Sequence, residues 1–258
     1  MKEKEKYKLL LSGLLLLLLA INYPLLDKEL TEWLVDYEVG YVERIVDGDT
    51  VIVNGTSVRL LGINTPEKGE IFYGEAKEFL ESKIGLKMIR MKAGKEDTDR
   101  YGRKLRYVFY DGKNVNVEIV REGYGNFYFP SGKDKYYSEF VNSWESCLDA
   151  GKNICEKSKA CAECITLKRL DVKSQEVVIS NRCEKPCDLK GWTLKDEGRK
   201  IFVFPEFVLK TDVKILVGEG ENQGESLYWS GEEYVWTQTG DSLFLRDDEG
   251  KLVLWWSY

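Results

Sequence analysis

Short runs of Val, Ile and Leu, separated by turn residues, predict β-strands along most of the chain after residue 38. In the first half of the chain these runs cover residues 41–46, 50–53, 57–63, 87–92 and 105–110. Asn54-Gly55 lies between the second and third runs, and this dipeptide is typical of a tight β-hairpin. The first half of the chain is therefore predicted to contain five strands.

Three helices are predicted among and after these strands. Apolar residues three or four positions apart form two stripes, one of Ala76, Phe79, Leu80 and Ile84, the other of Tyr137, Phe140, Val141, Trp144 and Leu148. A shorter helix is predicted over 116–122, with Gly123 as its C-terminal cap. Five strands with interleaved helices predict a fold that is mainly β with α, a five-stranded OB-fold barrel with three helices.

Helical spacing disappears after a cysteine-rich junction. The remaining apolar runs are short and separated by Gly, Asp and Lys turns; they cover residues 176–179, 201–204, 213–217, 242–245 and 252–256. Several short strands at this spacing predict a C-terminal β-sandwich.

The N-terminus has a charged stretch, KEKEKYK at residues 2–8, followed by a leucine-rich run over 9–21. This arrangement predicts a secretory signal peptide, or an uncleaved membrane anchor, over residues 1–21. In either case the rest of the chain is expected outside the cytoplasm, secreted or held on the outer face of the membrane. The expected segments are 1–21, a spacer at 22–38, the barrel domain at 39–155, the junction at 156–165 and the sandwich domain at 166–258.

Six cysteines lie at and around the junction. Disulfides suit an exported protein. The alternative is a zinc site, because Cys161-x-x-Cys164 and Cys183-x-x-x-Cys187 offer four thiolates. The spacing does not choose between these interpretations, nor does it determine a disulfide pairing.

The chain has no histidine, and its 38 basic and 44 acidic residues give a net charge of −6. Histidine general bases, serine–histidine triads and histidine-containing zinc sites are therefore excluded. The balance also excludes nucleic-acid binding through bulk positive charge. Hydrolysis in this chain would depend on carboxylates, arginines and a hard metal ion.

Three segments of the barrel domain carry such groups. Asp49 lies in Val-Asp-Gly-Asp-Thr, which is also a plausible strand-entry turn. Arg59 interrupts an apolar run that leads to Asn64, Thr65 and Glu67, where the alternative is a helix start with Thr65 as N-cap. The third segment, Asp-Arg-Tyr-Gly-Arg, is a turn that presents guanidinium groups suited to phosphate; it contains Arg100, Tyr101 and Arg103.

The strings VDGDTVIV, VRLLGINTPE, DTDRYGRKLRYVF and VNVEIVREG resemble the staphylococcal nuclease family in order and spacing. The resemblance implies a Ca²⁺-dependent endonuclease that hydrolyses DNA and RNA, with single strands favoured, by in-line attack of water.

By position, the resemblance implies roles for nine residues. The metal ligands for one Ca²⁺ ion are Asp49, Asn64 and the carbonyl of Thr65; the catalytic residues are Arg59, Glu67 and Arg103; the nucleotide-binding residues are Arg100, Tyr101 and Tyr128, the last with an uncertain register against Phe129. The family usually has Asp at the position of Asn64. Because an amide carries no charge, we expect weaker calcium binding.

The C-terminal region contains GWTLKD and GDSLFLRD, which resemble a lamin-tail domain, an immunoglobulin-like β-sandwich. This resemblance implies a binding or positioning module with an unknown ligand, and we expect the chain to be a monomer. The alternative function is a non-catalytic single-stranded nucleic-acid-binding protein, and a third is a structural envelope protein. Glu67 argues against the binding protein, because a carboxylate beside a phosphate would only repel a ligand that is bound and not cleaved. A structural envelope protein would leave the set of Arg59, Glu67 and Arg103 unexplained.

Overall fold

The computed structural model describes residues 4–5, 7–8, 11–14, 16–18 and 37–258. The described residues before residue 19 are helical, whereas much of the predicted signal peptide or anchor and nearly all of the spacer lie outside the described residues. Within the described ranges, no helix combines the length and apolar character needed to cross a membrane. The chain divides into compact units at 1–38 and 39–258, and both predicted domains lie in the second unit.

A closed barrel occupies the first part of the second unit. Its strands are β1 (Glu38–Asp47), β2 (Thr50–Val53), β3 (Thr56–Leu60), β5 (Met88–Thr98) and β6 (Lys104–Tyr110), with short strands β4 (Ile63–Asn64), β7 (Lys113–Asn114) and β8 (Asn126–Phe127) beside them. The sheet order is β3-β2-β1-β5-β6-β7, and a parallel pairing of β3 with β6 closes it. The predicted five-stranded barrel is thus confirmed.

Three helices accompany the barrel: α1 (Tyr73–Ile84), α2 (Val115–Arg121) and α3 (Tyr137–Ala150). The N-cap of α2 is Asn114, whose side chain accepts hydrogen bonds from the backbone of Asn116 and Val117. Gly151 ends α3 in the left-handed conformation, as glycine commonly does at the C-terminus of a helix.

The C-terminal part is a β-sandwich. Its strands are β9 (Ile165–Asp171), β10 (Glu176–Asn181), β11 (Cys187–Asp188), β12 (Thr193–Lys195), β13 (Ile201–Val203), β14 (Val208–Leu209), β15 (Asp212–Val217), β16 (Ser226–Trp229), β17 (Ser242–Arg246) and β18 (Leu252–Ser257). The two main sheets have the orders β16-β15-β10-β9 and β13-β12-β17-β18. Apolar side chains from both sheets and from the loops that connect their strands form one buried core, which includes Trp192, Trp229 and Trp236. The predicted sandwich is confirmed, and these tryptophans belong to its core.

The sandwich packs against the barrel through aromatic residues. Leu243 and Leu245 of β17 point into the sandwich core, whereas Phe244 between them faces Trp144 of α3, with ring centres 5.5 Å apart. Trp255 of β18 lies 6.0 Å from Trp144 and 6.4 Å from Phe127. Because Trp144 and Phe244 are almost fully buried, the two domains share an apolar interface.

All six cysteines form disulfides. The pairs are Cys147–Cys155, Cys161–Cys187 and Cys164–Cys183. The alternative interpretation, a zinc site built from these thiolates, is therefore wrong. Disulfides are typical of proteins in oxidising compartments outside the cytoplasm.

Candidate active site

The turn between β1 and β2 places Asp49 in the interior of the barrel rim. A Cβ on Gly48 would lie 2.8 Å from the hydroxyl oxygen of Thr65, so only glycine allows this close approach. Asp49 is 3% exposed, and its backbone N–H donates to the carboxylate of Asp47. The segment is a strand-entry turn, as its sequence suggested, and it also delivers a buried carboxylate.

A break after β3 brings Asn64 and Thr65 next to that carboxylate. Gly62 adopts a φ of 74°, and a Cβ at this position would lie 2.8 Å from the ring of Phe140. The predicted strand over 57–63 therefore ends at Leu60. The backbone N–H and the hydroxyl of Thr65 both donate to Oδ2 of Asp49, at 3.4 and 3.2 Å.

The alternative of a helix start at Thr65 is wrong. Helix α1 begins at Tyr73 and has Phe72 as its N-cap residue. Thr65 uses its hydrogen-bonding groups on Asp49. Residues 64 and 65 therefore belong to the site.

Arg59 on β3 points into the same group of residues. Its Nη2 lies 2.9 Å from Oδ2 of Asp49 and donates to the carbonyl of Ile63, while Nη1 donates to the carbonyl of Leu60. Burial lowers the pKa of Arg59, the charge of Asp49 raises it, and the charges of Arg103 and Arg199 lower it further. The guanidinium is therefore held rigidly, with other positive charges near it.

Arg103 reaches this group from the loop between β5 and β6. Its Nε donates to Oδ2 of Asp99 at 2.7 Å, and Asp99 also accepts the backbone N–H of Arg103. Nη1 of Arg103 lies 3.4 Å from the hydroxyl of Thr50, which donates to Oδ1 of Asp49 at 2.9 Å. The two predicted catalytic arginines thus meet at Asp49, one directly and one through Thr50.

Arg100 and Tyr101 form an exposed rim beside Arg103. Nη2 of Arg100 donates to the phenol of Tyr101 at 2.6 Å, and the guanidinium of Arg103 lies 5.4 Å from the centre of the Tyr101 ring. Tyr101 is 64% exposed. The guanidinium of Arg100 also lies over this ring, at 4.8 Å, and the remaining exposed surface of the ring is available to stack against a ligand.

The charges of Arg59 and Arg199 act on Tyr128, whereas Phe129 packs against α3. The ring of Phe129 packs on α3, 5.2 Å from Tyr137 and 5.3 Å from Phe140. Burial raises the pKa of Tyr128, the charges of Asp196 and Glu197 raise it further, and the charges of Arg59 and Arg199 lower it. Charged groups of both domains thus act on the phenol of Tyr128. This favours Tyr128 over Phe129 as the nucleotide-binding residue.

The oxygen atoms around Asp49 suit a hard cation. Oδ1 of Asn64 is buried and has no hydrogen-bond partner, which is unusual for a buried amide oxygen. Asn64 is followed directly by Thr65, whose backbone N–H and hydroxyl contact the carboxylate of Asp49. Burial and the charge of Asp49 raise the pKa of the nearby Asp47 carboxyl. A cation with oxygen ligands would satisfy the Asn64 oxygen and relieve this carboxyl pair.

Clusters of three or more His, Cys, Asp or Glu side chains with metal-binding geometry are absent from the described residues. The candidate set contains one such side chain, Asp49, together with an amide and a backbone carbonyl. Its composition therefore fits a Ca²⁺ site with a low ligand charge.

Glu67 has a partner that the sequence did not predict. Its Oε1 lies 2.8 Å from Nε of Arg199, a residue of the C-terminal sandwich, and its side chain is 44% exposed. Nearby, Nδ2 of Asn64 donates to the carbonyl of Gly198 at 2.6 Å. Both contacts come from residues 195–200, the turn that joins β12 to β13.

Sequence reasoning missed this turn as part of the site. Its composition, Lys-Asp-Glu-Gly-Arg-Lys, predicts only a charged turn. The contact between Asn64 and Gly198 spans 134 positions. Local sequence patterns contain no information about such a contact.

Comparison with known proteins identifies two families along the chain. Residues 57–156 match the model described as staphylococcal nuclease homologue, and residues 163–258 match the lamin tail domain. These matches confirm both resemblances inferred from the sequence motifs.

Individual relatives agree with the first match. The chain is 33% identical over 105 residues to a thermonuclease of Staphylococcus intermedius, covering 37% of this chain and 62% of that protein. It is 30% identical over 123 residues to a thermonuclease of Staphylococcus hyicus, covering 44% of this chain and 73% of that protein. It is 32% identical over 125 residues to endonuclease YhcR of Bacillus subtilis strain 168, covering 41% of this chain and 10% of that protein. The matched segment thus spans less than two thirds of the first and the third of these proteins.

Proposed function

Because the chain belongs to the staphylococcal nuclease family, we propose that it is a Ca²⁺-dependent endonuclease that hydrolyses phosphodiester bonds of DNA and RNA. The observation that carries this proposal is the convergence of Arg59 and Arg103 on Asp49. The carboxylate of Glu67 joins this group through Arg199, whose charge acts on Arg59. In a chain without histidine, this set supplies phosphate-binding cations and a proton acceptor.

Asp49, the side-chain oxygen of Asn64 and the carbonyl of Thr65 would hold one Ca²⁺ ion. When bound, the ion would supply positive charge that stabilises the developing negative charge on the phosphate. Since Asn64 contributes no charge, calcium affinity should be lower than at a site with a carboxylate in this position.

The side chains of the site have two roles, phosphate binding and proton transfer. Arg59 and Arg103 bind the scissile phosphate and stabilise the added charge of its transition state. Glu67 takes a proton from the attacking water; Oε1 contacts Arg199, and among the described residues Oε2 has no recorded partner. The new P–O bond forms in line with the bond to the 5′-oxygen, which breaks, and the departing 5′-oxygen takes up a proton from solvent water.

The rim residues favour a strand with accessible bases. Tyr101 offers an exposed ring beside Arg100, and Tyr128 offers a second ring on which the charges of Arg59 and Arg199 act. Base stacking on such rings requires unpaired bases, so we propose single-stranded nucleic acid as the preferred substrate. The three disulfides support an exported protein, secreted or anchored at its N-terminus.

The replacement of Glu67 by Gln tests the catalytic assignment. We expect Glu67→Gln to lower kcat on denatured DNA about 10²- to 10⁴-fold, because the amide cannot accept the proton. The assay uses the full chain produced under oxidising conditions, with Ca²⁺ or with a chelator. Glu75→Gln is the matched control, since Glu75 is an exposed carboxylate in the first turn of α1.

Glu75→Gln should keep wild-type activity, and chelation of Ca²⁺ should abolish the activity of both the wild-type protein and Glu75→Gln. Full activity of Glu67→Gln, or activity that survives chelation, would refute the mechanism. Tight binding of single strands by wild-type protein without any cleavage would favour the non-catalytic alternative.

A further inference from the structure

The turn between β12 and β13 is a rigid hairpin. Its strands pair from Thr193 with Val203 to Lys195 with Ile201. The tip is closed by reciprocal hydrogen bonds: the backbone N–H of Lys200 donates to the carboxylate of Asp196, and the N–H of Asp196 donates to the carbonyl of Lys200. We name residues 195–200 the active-site hairpin.

Both domains hold the active-site hairpin in place. On the nuclease side, the amides of Asn64 and Asn126 donate to the carbonyls of Gly198 and Glu197, at 2.6 and 3.0 Å. On the sandwich side, the carboxylate of Asp241 accepts the backbone N–H of Glu197 at 3.2 Å. These contacts fix the backbone immediately before Arg199.

Arg199 therefore projects from a fixed point into the nuclease site. Its Nε contacts Glu67, and its side chain is 53% exposed. Within the part of the chain that the structure describes, its two terminal nitrogens have no recorded partner. The positive charge of Arg199 lowers the pKa of Arg59, as does that of Arg103, and it also acts to lower the pKa of Tyr128. The charges of Arg103 and Arg199 both act unfavourably on Arg59, so an anion bound by these arginines would relieve the repulsion.

We propose that Arg199 is a third phosphate-binding arginine of the nuclease site, supplied by the C-terminal domain to the bound strand. This inference rests on the proposed nuclease function and extends it, because the active site is then built from both domains. Glu67 orients the guanidinium through Nε and leaves its terminal nitrogens for a phosphate.

The interface argues against the other interpretation, a latch that opens to admit substrate. Phe244, Trp255 and Trp144 bury aromatic surface between the domains, and opening the hairpin with its sheet would expose them. Lys195 adds an ion pair with Glu70, at 3.0 Å. An element fixed in this way serves as a permanent wall of the cleft.

Binding of a fluorescently labelled oligothymidylate tests the proposal. An oligomer of about 12 nucleotides suits the site sizes of OB folds. The dissociation constant is measured with the metal chelated, at salt concentrations between about 50 and 200 mM. We expect Arg199→Ala to bind on the order of tenfold more weakly, since one charge-assisted contact is lost. The salt dependence should also weaken, by about 0.7 in the slope of log K against log[salt].

Lys200→Ala is the matched control. It removes a positive charge from the same hairpin, but Lys200 points toward Glu232 and the carbonyl of Tyr234 in the sandwich. We expect wild-type affinity and salt slope for this variant. Arg199→Lys should recover most of the salt slope and only part of the affinity, because lysine supplies the charge without the planar fork.

Cleavage assays with Ca²⁺ complete the test. Arg199→Ala should raise KM more than it lowers kcat, because the lost contact binds substrate. A salt slope equal to that of Lys200→Ala would overturn this inference, and so would an increase in activity, which would identify the hairpin as a block. If wild-type protein cleaves DNA while Arg199→Ala behaves like the control, only this inference fails. If wild-type protein neither binds nor cleaves, the proposed function fails with it.

Discussion

Replacing Asn64 by Asp should have opposite effects on two properties of the protein. In the structure, Nδ2 of Asn64 donates to the carbonyl of Gly198 at 2.6 Å and lies 3.5 Å from that of Glu197. A carboxylate has no proton to donate and would place a charged oxygen against these carbonyl oxygens. At the same time, it would add a negative charge to the proposed calcium site.

The magnitude follows from the buried contact. A buried carbonyl that loses its donor costs about 1–3 kcal/mol, and the repulsion between close oxygens adds to this. We therefore expect Asn64→Asp to lower the free energy of unfolding by about 2–4 kcal/mol with calcium chelated. With excess calcium, every tenfold gain in calcium affinity over wild type stabilises the variant by about 1.4 kcal/mol. The difference in free energy of unfolding between variant and wild type should therefore be smaller than in chelator.

Urea unfolding with chelator and with excess Ca²⁺, together with calcium titration, measures both effects. Asn126→Asp is the matched control, because Asn126 also donates to the carbonyl of Glu197, at 3.0 Å, but is not among the proposed ligands. The control should be destabilised equally in both conditions. The reasoning is refuted if Asn64→Asp is as stable as wild type in chelator, or if it binds calcium more weakly than wild type.

Two further predictions concern stability. Burial raises the pKa values of Asp196 and Glu197 in the folded protein to about 7 and about 8. Both pKa values lie above those of the same groups in the unfolded chain. The stability that the two carboxyl groups contribute is therefore complete below about pH 4 and is lost as the pH rises through the two pKa values of the folded protein. Urea unfolding should therefore give a higher free energy of unfolding at about pH 5.5 than at about pH 8.5. The double variant Asp196→Asn, Glu197→Gln should show a smaller difference between the two pH values. A higher free energy of unfolding at the alkaline pH would contradict this prediction. Replacing Phe244 by Ala should cost about 3–5 kcal/mol because it empties the domain interface, whereas Val203→Ala, at a side chain 58% exposed, should change stability by less than about 0.5 kcal/mol. Thermal unfolding followed by tryptophan fluorescence measures both variants, and equal effects would show that the interface does not contribute as described.

Local patterns predicted most of the barrel and the residues on its own loops. Asn54-Gly55 joined β2 to β3 as expected. Asp49 meets Arg59 because Thr50, which follows Asp49 at the start of β2, pairs with Arg59 on β3, and Thr65 then returns to Asp49. Strand β3 ended earlier than predicted, because the left-handed conformation of Gly62 is a property of its packing against Phe140.

Contacts between the domains were beyond the reach of such patterns. The run Ser-Leu-Phe-Leu-Arg in β17 predicted a strand, and its uninterrupted hydrophobicity is consistent with burial on both faces. It did not indicate that Trp144 covers the second face. For the same reason, a charged turn gave no indication that Arg199 would meet Glu67. Such pairings depend on how two folded surfaces match.

The second domain offers a physical reason for the unusual residue at position 64. A carboxylate would serve a calcium ion better, but it could not donate to the carbonyl of Gly198. An amide presents an oxygen on one side and an N–H on the other, and the structure uses the N–H while leaving the buried oxygen unpaired. Asn64 is thus able to face the proposed cation and the active-site hairpin at once. The docking of the hairpin beside the nuclease site then accounts for two features at once. It requires an uncharged amide at position 64, and it brings the positive charge of Arg199 to Glu67.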